Sequence, residues 1–136
     1  HLWENLYFLI QMDLPSLRNI NGGLVLKKSE IKFLVHLDEK KMPEKIEWQA
    51  DDADFKGMKE AKTMMLSLWD KEDKVTLGID LWTKDMLIED MNLHFYQMIL
   101  KLGDTYRKAA SDVETAKMFD DFASEFSKKI KLFVNK

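Results

Sequence analysis

The sequence predicts an α+β fold, an antiparallel sheet of about four strands followed by two helices packed on one face. Two observations lead to this prediction. Segments of alternating apolar and polar residues fill the first part of the chain, and apolar residues at three- and four-residue steps fill the last part. Strands grouped before helices favour an antiparallel sheet with segregated helices over alternating βαβ units.

The first predicted strand pair spans residues 31–50. Apolar residues alternate with more polar ones from 31 to 37, which is typical of a half-buried strand. A charged turn over residues 38–44 follows, and the alternation then resumes and ends near Ala50. Because the two segments are close in sequence, we expect them to pair antiparallel.

The second predicted strand pair runs from about Ala61 to Trp69 and from about Val75 to Trp82, after a polar loop. A charged turn separates the two strands. If Asp70 faces Val75, every cross-strand pair on one face is apolar, which defines the register. Those pairs are Leu68 with Leu77, Leu66 with Ile79, and Met64 with Leu81.

Two helices follow the strands. Thr83 is the predicted N-cap of a helix that runs from about Lys84 or Leu87 to Ala110. The segment Ser111-Asp-Val-Glu114 has the form of a capping box and predicts the start of a second helix. Both helices carry an apolar stripe, and we expect them to cover the Leu66 and Ile79 face of the sheet.

Residues 1–28 differ from the rest of the chain. Glu4-Asn-Leu-Tyr-Phe8 resembles the start of an engineered protease-cleavage site, so we expect this extension to be at least partly derived from an expression vector. Asn21-Gly-Gly23 is a turn or linker signal. Residues 29–136 are then predicted to form a single α+β domain of the 136-residue chain.

The composition narrows the class of function. The net charge of −3 does not indicate a nucleic-acid-binding protein, which normally carries a basic face. The chain has no cysteine, which excludes disulfides and thiolate zinc sites and fits a reducing compartment. No apolar stretch approaches the roughly 20 residues of a membrane span, and the start lacks the features of a secretory signal. We therefore expect a cytoplasmic protein without direct membrane insertion.

The sequence carries no pattern that predicts catalysis, a cofactor or a metal. The three histidines are not at metal-ligand spacing. Asp52-Ala-Asp54-Phe-Lys56-Gly57 resembles the first half of a calcium loop, but Lys56 replaces an acidic ligand and Thr63 stands where the closing Glu is needed. Adjacent acidic residues on a helix point about 100° apart, so they do not form a general acid–base pair. We expect these carboxylates to lie on solvent-exposed helix faces. We expect a non-enzymatic protein.

The outer face of the second strand pair is the predicted partner-binding surface. Met65, Trp69, Asp80 and Trp82 share this face in the predicted register. Trp is enriched at interface centres and Met adapts to partner surfaces. The open edge of the first strand is a second candidate, with Lys32 and His36 placed to limit unwanted strand pairing.

Four stretches resemble one known family. They are Ile31 to Asp38, Pro43-Glu-Lys-Ile-Glu-Trp48, Met64-Met-Leu-Ser-Leu-Trp-Asp70 and Ile79-Asp-Leu-Trp-Thr-Lys84. Their order and spacing resemble the GldC family of gliding-motility proteins over roughly residues 29–130. The resemblance implies a small soluble cytoplasmic protein, accessory to gliding over surfaces and associated with the type IX secretion machinery. The resemblance implies no catalytic residue, cofactor or ligand.

Two function hypotheses follow. The leading one is an interaction module that binds a protein partner, such as a component of the gliding or secretion machinery, with a second copy of the chain as a further candidate. The alternative is a small apolar-ligand-binding or chaperone-like module with a pocket between sheet and helices. Trp48, Phe95 and Phe122 would line that pocket.

Overall fold

The computed structural model describes residues 28–134 and the backbone of 17–18 and 24–25. It divides into two compact units, His1–Lys84 and Asp85–Lys136. Two short strands, β1 (Leu17–Arg18) and β2 (Leu24–Val25), pair antiparallel near the start. The predicted vector-derived residues before β1 and the predicted turn at 21–23 lie outside the described residues.

Three strands form the main sheet of the first unit. They are β3 (Ile31–Leu37), β4 (Pro43–Ala50) and β5 (Lys59–Ala61), in the order β3-β4-β5 with antiparallel pairing. The predicted pairing of the first two strands is confirmed. The predicted turn over residues 38–44 is wrong in length, because β4 already begins at Pro43.

Asp38 explains the shorter turn. Its Oδ1 accepts the backbone N–H groups of Lys40 at 2.8 Å and Met42 at 2.9 Å. Lys41 takes the left-handed conformation, with φ of 62°. A short polar side chain that bonds its own downstream backbone is the usual device for closing a tight turn.

Ile46 is the centre of this sheet's core. It lies on the middle strand opposite Val35 of β3 and Ala61 of β5, and its side chain is 0% exposed. On the same face Trp48 packs edge-to-face against Phe55, with ring centroids 5.0 Å apart. The apolar side of the alternation is therefore buried at Ile46 and partly at Val35, whereas Ile31, Phe33 and Leu37 at the other positions of β3 are exposed.

The predicted strand from Ala61 to Trp69 is wrong as a single element. The chain bends at Lys62, so that β5 ends at Ala61 and a new strand, β6 (Thr63–Trp69), begins. Among the described residues β6 pairs with β7 (Thr76–Trp82) alone, and the two form a separate two-stranded ribbon. The first unit thus has five longer strands in two sheets in place of about four in one.

The register of the β6–β7 ribbon is confirmed pair by pair. Leu68 lies opposite Leu77, Leu66 opposite Ile79, and Met64 opposite Leu81. The turn closes where it was predicted, with the Asp70 N–H donating to the Val75 carbonyl at 2.8 Å. Alternation of apolar residues on two adjacent strands was sufficient to set this pairing.

The first helix, α1, runs over Ile88–Ala110. Its N-cap residue is Leu87, whose side chain makes no capping hydrogen bond. The prediction of Thr83 as its N-cap is wrong. Thr83 is 3% exposed, and both its backbone N–H and its hydroxyl donate to the Lys62 carbonyl, at 2.8 and 3.3 Å. The hydroxyl is engaged in closing the base of the ribbon, so it does not cap the helix.

The second helix, α2, runs over Val113–Lys129 and begins where the sequence predicts. Its cap is Asp112, not Ser111: Asp112 Oδ1 accepts the Thr115 N–H at 3.0 Å. Ser111 instead ends α1 in the left-handed conformation, with its N–H donating to the Arg107 carbonyl. Only Ser111 and Asp112 lie between the two helices. Because Ser111 ends α1, Asp112 is the residue that caps α2.

The two helices form a closely packed antiparallel hairpin. Gly103 of α1 is buried, and a Cβ built there would lie 2.9 Å from Cβ of Phe119 on α2. Arg107 adds an ion pair across the hairpin, with Nη2 3.0 Å from Oδ2 of Asp120. The α+β class is confirmed, whereas the packing of the helices on one face of the sheet stays a prediction.

Candidate interaction surface

The β6–β7 ribbon brings all four predicted partner-binding residues onto one face, here called the outer face. Residues at alternate positions of a strand share a face, and the register then assigns both strands. From the base of the ribbon to its turn, the outer-face pairs are Thr63 with Trp82, Met65 with Asp80, Ser67 with Gly78, and Trp69 with Thr76.

Two large aromatic side chains stand exposed on the outer face. Trp69 is 67% exposed and Trp82 is 55% exposed. Asp80 is also exposed, whereas Met65 is partly buried. Among residues 28–134 neither indole stacks on another ring, in contrast to Trp48 in the main sheet. Both indoles are therefore largely in contact with solvent.

The two tryptophans lie at opposite ends of the outer face. Trp69 sits beside the turn and Trp82 at the base, six positions apart along the ribbon, which corresponds to about 20 Å. Met65 is the diagonal neighbour of Trp82, but it is four residues from Trp69. The predicted patch is therefore an elongated strip and not one compact cluster.

The middle of this strip is occupied by the smallest side chains. Ser67 faces Gly78 across the ribbon, and both are exposed. A Cβ built on Gly78 would find only the Leu66 carbonyl oxygen within 4 Å, at 3.7 Å. The register places both residues on the outer face, but small side chains carry no sequence signal for binding.

The opposite face of the ribbon is apolar throughout. Leu68, Leu77 and Ile79 are each about half exposed, whereas Leu66 is partly buried. The ribbon therefore carries apolar surface on both faces over the part nearest the turn. Large exposed apolar patches mark interaction surfaces more often than isolated exposed apolar residues do.

The turn of the ribbon is held by its own polar groups. Asp70 Oδ2 accepts the N–H groups of Glu72 at 3.0 Å and Asp73 at 2.6 Å. Lys74 takes the left-handed conformation, with φ of 54°. The Asp70 carboxylate thus has a local structural role in closing the turn next to Trp69.

An ion pair connects the base of the ribbon to the main sheet. Lys84 Nζ lies 2.7 Å from Asp38 Oδ2, in the turn between β3 and β4. The hydrogen bond from Lys84 lowers the pKa of Asp38, and the same bond raises the pKa of Lys84. Neither residue was singled out from the sequence, because a contact across 46 residues leaves no local pattern.

The second predicted surface, the open strand edge, is also present. β3 pairs with β4 alone among the described residues, so it forms one edge of the main sheet. His36 Nε2 lies 2.7 Å from Oε1 of Glu47 on β4, and Lys32 is exposed. The polar residues of β3 thus stand where they can limit strand addition.

The acidic loop that resembles a calcium site has structural bonds instead. Asp52 Oδ2 accepts the Ser29 hydroxyl at 2.5 Å, and Asp51 Oδ2 accepts the Glu30 N–H at 2.9 Å. Over residues 28–134 no group of three or more His, Asp or Glu side chains is placed to hold a metal ion. These carboxylates tie the loop to the start of β3.

Two of the three residues of the alternative ligand pocket pack within their own units. Trp48 contacts Phe55 in the first unit, and Phe122 stacks on Phe126 in the second, with centroids 6.4 Å apart. Phe95 lies on α1 and is 40% exposed. A common pocket for the three residues stays a prediction.

In the part of the chain that the structure describes, neither helix is long and apolar enough to cross a membrane. The family model described as gliding motility-associated protein GldC-like matches residues 43–132, from the start of β4 to just past α2. No curated protein and no solved structure matches the chain. Because the match covers about two thirds of the sequence, the chain belongs to the GldC-like family of gliding motility-associated proteins.

Proposed function

We propose that this protein is a non-enzymatic, cytoplasmic accessory protein of bacterial gliding motility that binds a protein partner through the outer face of the β6–β7 ribbon. Family membership supports the association with gliding. The exposure of Trp69 and Trp82 on that face is the observation that supports a docking role. The partner is a component of the gliding or secretion machinery.

Exposed indoles provide free energy for association when a partner removes them from water. Removing an apolar side chain from water contributes roughly 25 cal/mol per Å², so burying two Trp side chains against a partner provides a strong driving force. Trp is among the residues whose truncation costs most in measured interfaces. Trp69 and Trp82 are therefore the residues on which the proposed interaction depends.

The fixed base of the ribbon supports the same role. Thr83 and Lys84 attach the end of β7 to Lys62 and Asp38 of the first unit. The part of the ribbon nearest the turn has exposed residues on both faces. A surface that is anchored at one end loses less conformational entropy on binding than a flexible segment does.

The test is complementation of a gliding strain that lacks this gene. Cells would express the wild-type chain, the double variant Trp69→Ser/Trp82→Ser, or the conservative double variant Trp69→Phe/Trp82→Phe, at matched protein levels. We expect the serine variant to lose colony spreading and the phenylalanine variant to retain most of it, because the aromatic area is kept.

A matched control changes two exposed residues of the turn, Lys71→Ser/Glu72→Ser, which lie outside the outer face. This control is expected to spread normally. Normal spreading of the Trp69→Ser/Trp82→Ser strain would contradict the proposed role of the outer face. The folded state of each purified variant is checked by circular dichroism, so that unfolding is not mistaken for lost binding.

A further inference from the structure

Strand β3 presents an open edge with a defined pattern of main-chain groups. Glu30 lies opposite Asp51 when the β3–β4 register is continued by one residue, and the Glu30 carbonyl accepts the Asp51 N–H at 3.0 Å. Hydrogen-bonded pairs alternate with non-bonded pairs along an antiparallel ladder. Ile31, Phe33 and Val35 therefore direct their N–H and C=O groups away from β4, toward the edge where β3 has no strand partner among the described residues.

We propose that this edge pairs with the same edge of a second copy of the chain, antiparallel and with Phe33 at the two-fold axis. The paired segment is residues 30–36. The facing pairs are Phe33 with Phe33, Ile31 with Val35, Lys32 with Leu34, and Glu30 with His36 of the second copy. Self-association through β3 does not depend on the proposed function, whose outer face lies on β6 and β7.

The main-chain groups restrict the possible registers of such a pair. Residues that direct their groups to the edge must face one another, so a symmetric pair is centred on a residue and not on a peptide bond. Facing residues then lie on the same side of the sheet, which brings Phe33 opposite Phe33 and Ile31 opposite Val35. In the single chain Ile31 is 40% exposed and Phe33 is 37% exposed. Aromatic and β-branched pairs of this kind stabilise a strand pair.

Lys32 and a register irregularity disfavour the neighbouring centres. A pair centred on Lys32 would bring two Lys side chains face to face, which destabilises a strand pair. A pair centred on Leu34 would require Leu37, which lies beyond the irregularity that follows His36. A pair centred on Val35 would leave only a short paired segment before the same irregularity.

The centre at Phe33 avoids both problems. The paired segment then ends at His36, and the Glu30 carboxylate faces the imidazole of His36 in the second copy, which is a complementary polar pair. Lys32 faces Leu34, and its aliphatic stem covers that side chain while the ammonium group stays in water. The polar residues of β3 thus disfavour other registers and still permit this one.

The other open edges of the first unit are less suited to self-pairing. β5 has only three residues, and residues 63–66 at the base of β6 are partly buried. β7 is exposed, but Gly78 in its middle weakens a strand, and Asp80 has no basic residue on β7 to face. On β3 six of the seven residues are exposed, and the complementary groups lie on the strand or directly beside it.

Disulfide trapping tests the register, because the chain has no cysteine of its own. The full 136-residue chain is prepared as two single variants, Lys32→Cys and Leu34→Cys, both at exposed positions. Facing residues of a non-hydrogen-bonded pair have Cα atoms about 4.5 Å apart, which a disulfide can span. Under mild oxidation we expect an equimolar mixture to form cross-linked dimer several times faster than either variant alone, with position 32 joined to position 34.

The association itself is measured by size-exclusion chromatography with light scattering over a range of concentrations. The mass of the wild type should rise from that of one chain toward that of two. Phe33→Lys places like charges at the two-fold axis and should raise the dissociation constant at least about tenfold. The matched control Leu37→Lys makes the same change at an exposed position beyond the paired segment and should leave the dimer intact. Circular dichroism checks that both variants are folded.

Each alternative gives its own result, and each overturns the proposal. Cross-linking of Leu34→Cys alone as fast as that of the mixture would move the centre of the pair. A dimer unaffected by Phe33→Lys would place the contact elsewhere. A monomer at all concentrations, with no cross-link, would exclude self-pairing, and protection of the edge-facing β3 amides from hydrogen exchange in that monomer would assign the edge to another segment of the chain. Colony spreading of the Trp69→Ser/Trp82→Ser strain reports on the proposed function independently.

Discussion

The β6–β7 ribbon and the α1–α2 hairpin each carry one glycine at a critical position, with opposite consequences. A Cβ added at Gly103 of the hairpin would lie 2.9 Å from the Cβ of Phe119, which real structures do not tolerate without movement. A Cβ added at Gly78 of the ribbon would make only an ordinary contact, at 3.7 Å from a carbonyl oxygen. One glycine permits close internal packing, and the other leaves open surface.

The helix hairpin and the ribbon also differ in the size of the side chains that they bury and expose. On α2, Ala116 and Ala123 are fully buried, and Ala116 lies directly beside Gly103 of α1. On the ribbon the largest side chains, Trp69 and Trp82, are exposed. The contact between the helices is therefore an internal packing surface, whereas the ribbon leaves its largest side chains in solvent.

The largest expected effect separates the two glycines directly. Gly103→Leu should lower the free energy of unfolding by about 3 kcal/mol, because overpacking at a close helix contact outweighs the gain of about 1 kcal/mol in helix propensity. Gly78→Leu should change it by less than about 0.5 kcal/mol. Urea unfolding of both variants measures the difference. Equal destabilisation would contradict the division between packed and open surface.

The start of α2 gives a smaller effect. Asp112→Ala removes the side chain that accepts the Thr115 N–H and should lower the free energy of unfolding by about 1 kcal/mol. Ser111→Ala, one residue earlier, should change it by less than about 0.5 kcal/mol, because Ser111 does not cap the helix. Thermal unfolding of the two variants compares them. A larger loss for Ser111→Ala would restore the capping role that the sequence predicts for that residue.

The tryptophans of the ribbon should contribute little to folding. Trp69→Ser and Trp82→Ser should each change the free energy of unfolding by less than about 1 kcal/mol, because both side chains are already largely in water. Urea unfolding followed by circular dichroism measures this without relying on indole fluorescence. A loss of several kcal/mol would show that the indoles belong to a core.

The smallest expected effect is a pH dependence in the hairpin. Burial lowers the pKa of His94 on α1 below its ordinary value of 6.5. The unfolded state then binds a proton more readily than the folded state, so stability is full above pH 6.5 and falls as pH drops toward the folded pKa. In His94→Gln the urea midpoint of unfolding should change less between pH 7 and pH 5 than in the wild type.

The part of the fold that follows from local pattern was predictable. The Leu66–Ile79 pairing followed from alternation alone, because a slip of one residue would move every apolar side chain to the other face. The outer-face position of Met65, Trp69, Asp80 and Trp82 followed from the same register. The α2 start was visible in its turn chemistry, within one residue of the true cap.

The features that the sequence did not predict depend on contacts between distant residues. The bend at Lys62 separates β5 from β6, and it is held by Thr83, which is 21 residues away. That bond also removes Thr83 from the helix cap.

Hydroxyl-radical footprinting of the free protein, read by mass spectrometry at single tryptophans, tests the central claim most directly. Trp48 is the internal reference, because it is partly buried and packs against Phe55. The exposed outer face predicts oxidation of Trp69 and Trp82 several times faster than that of Trp48. Equal protection of all three tryptophans would contradict the assignment of the outer face as an interaction surface.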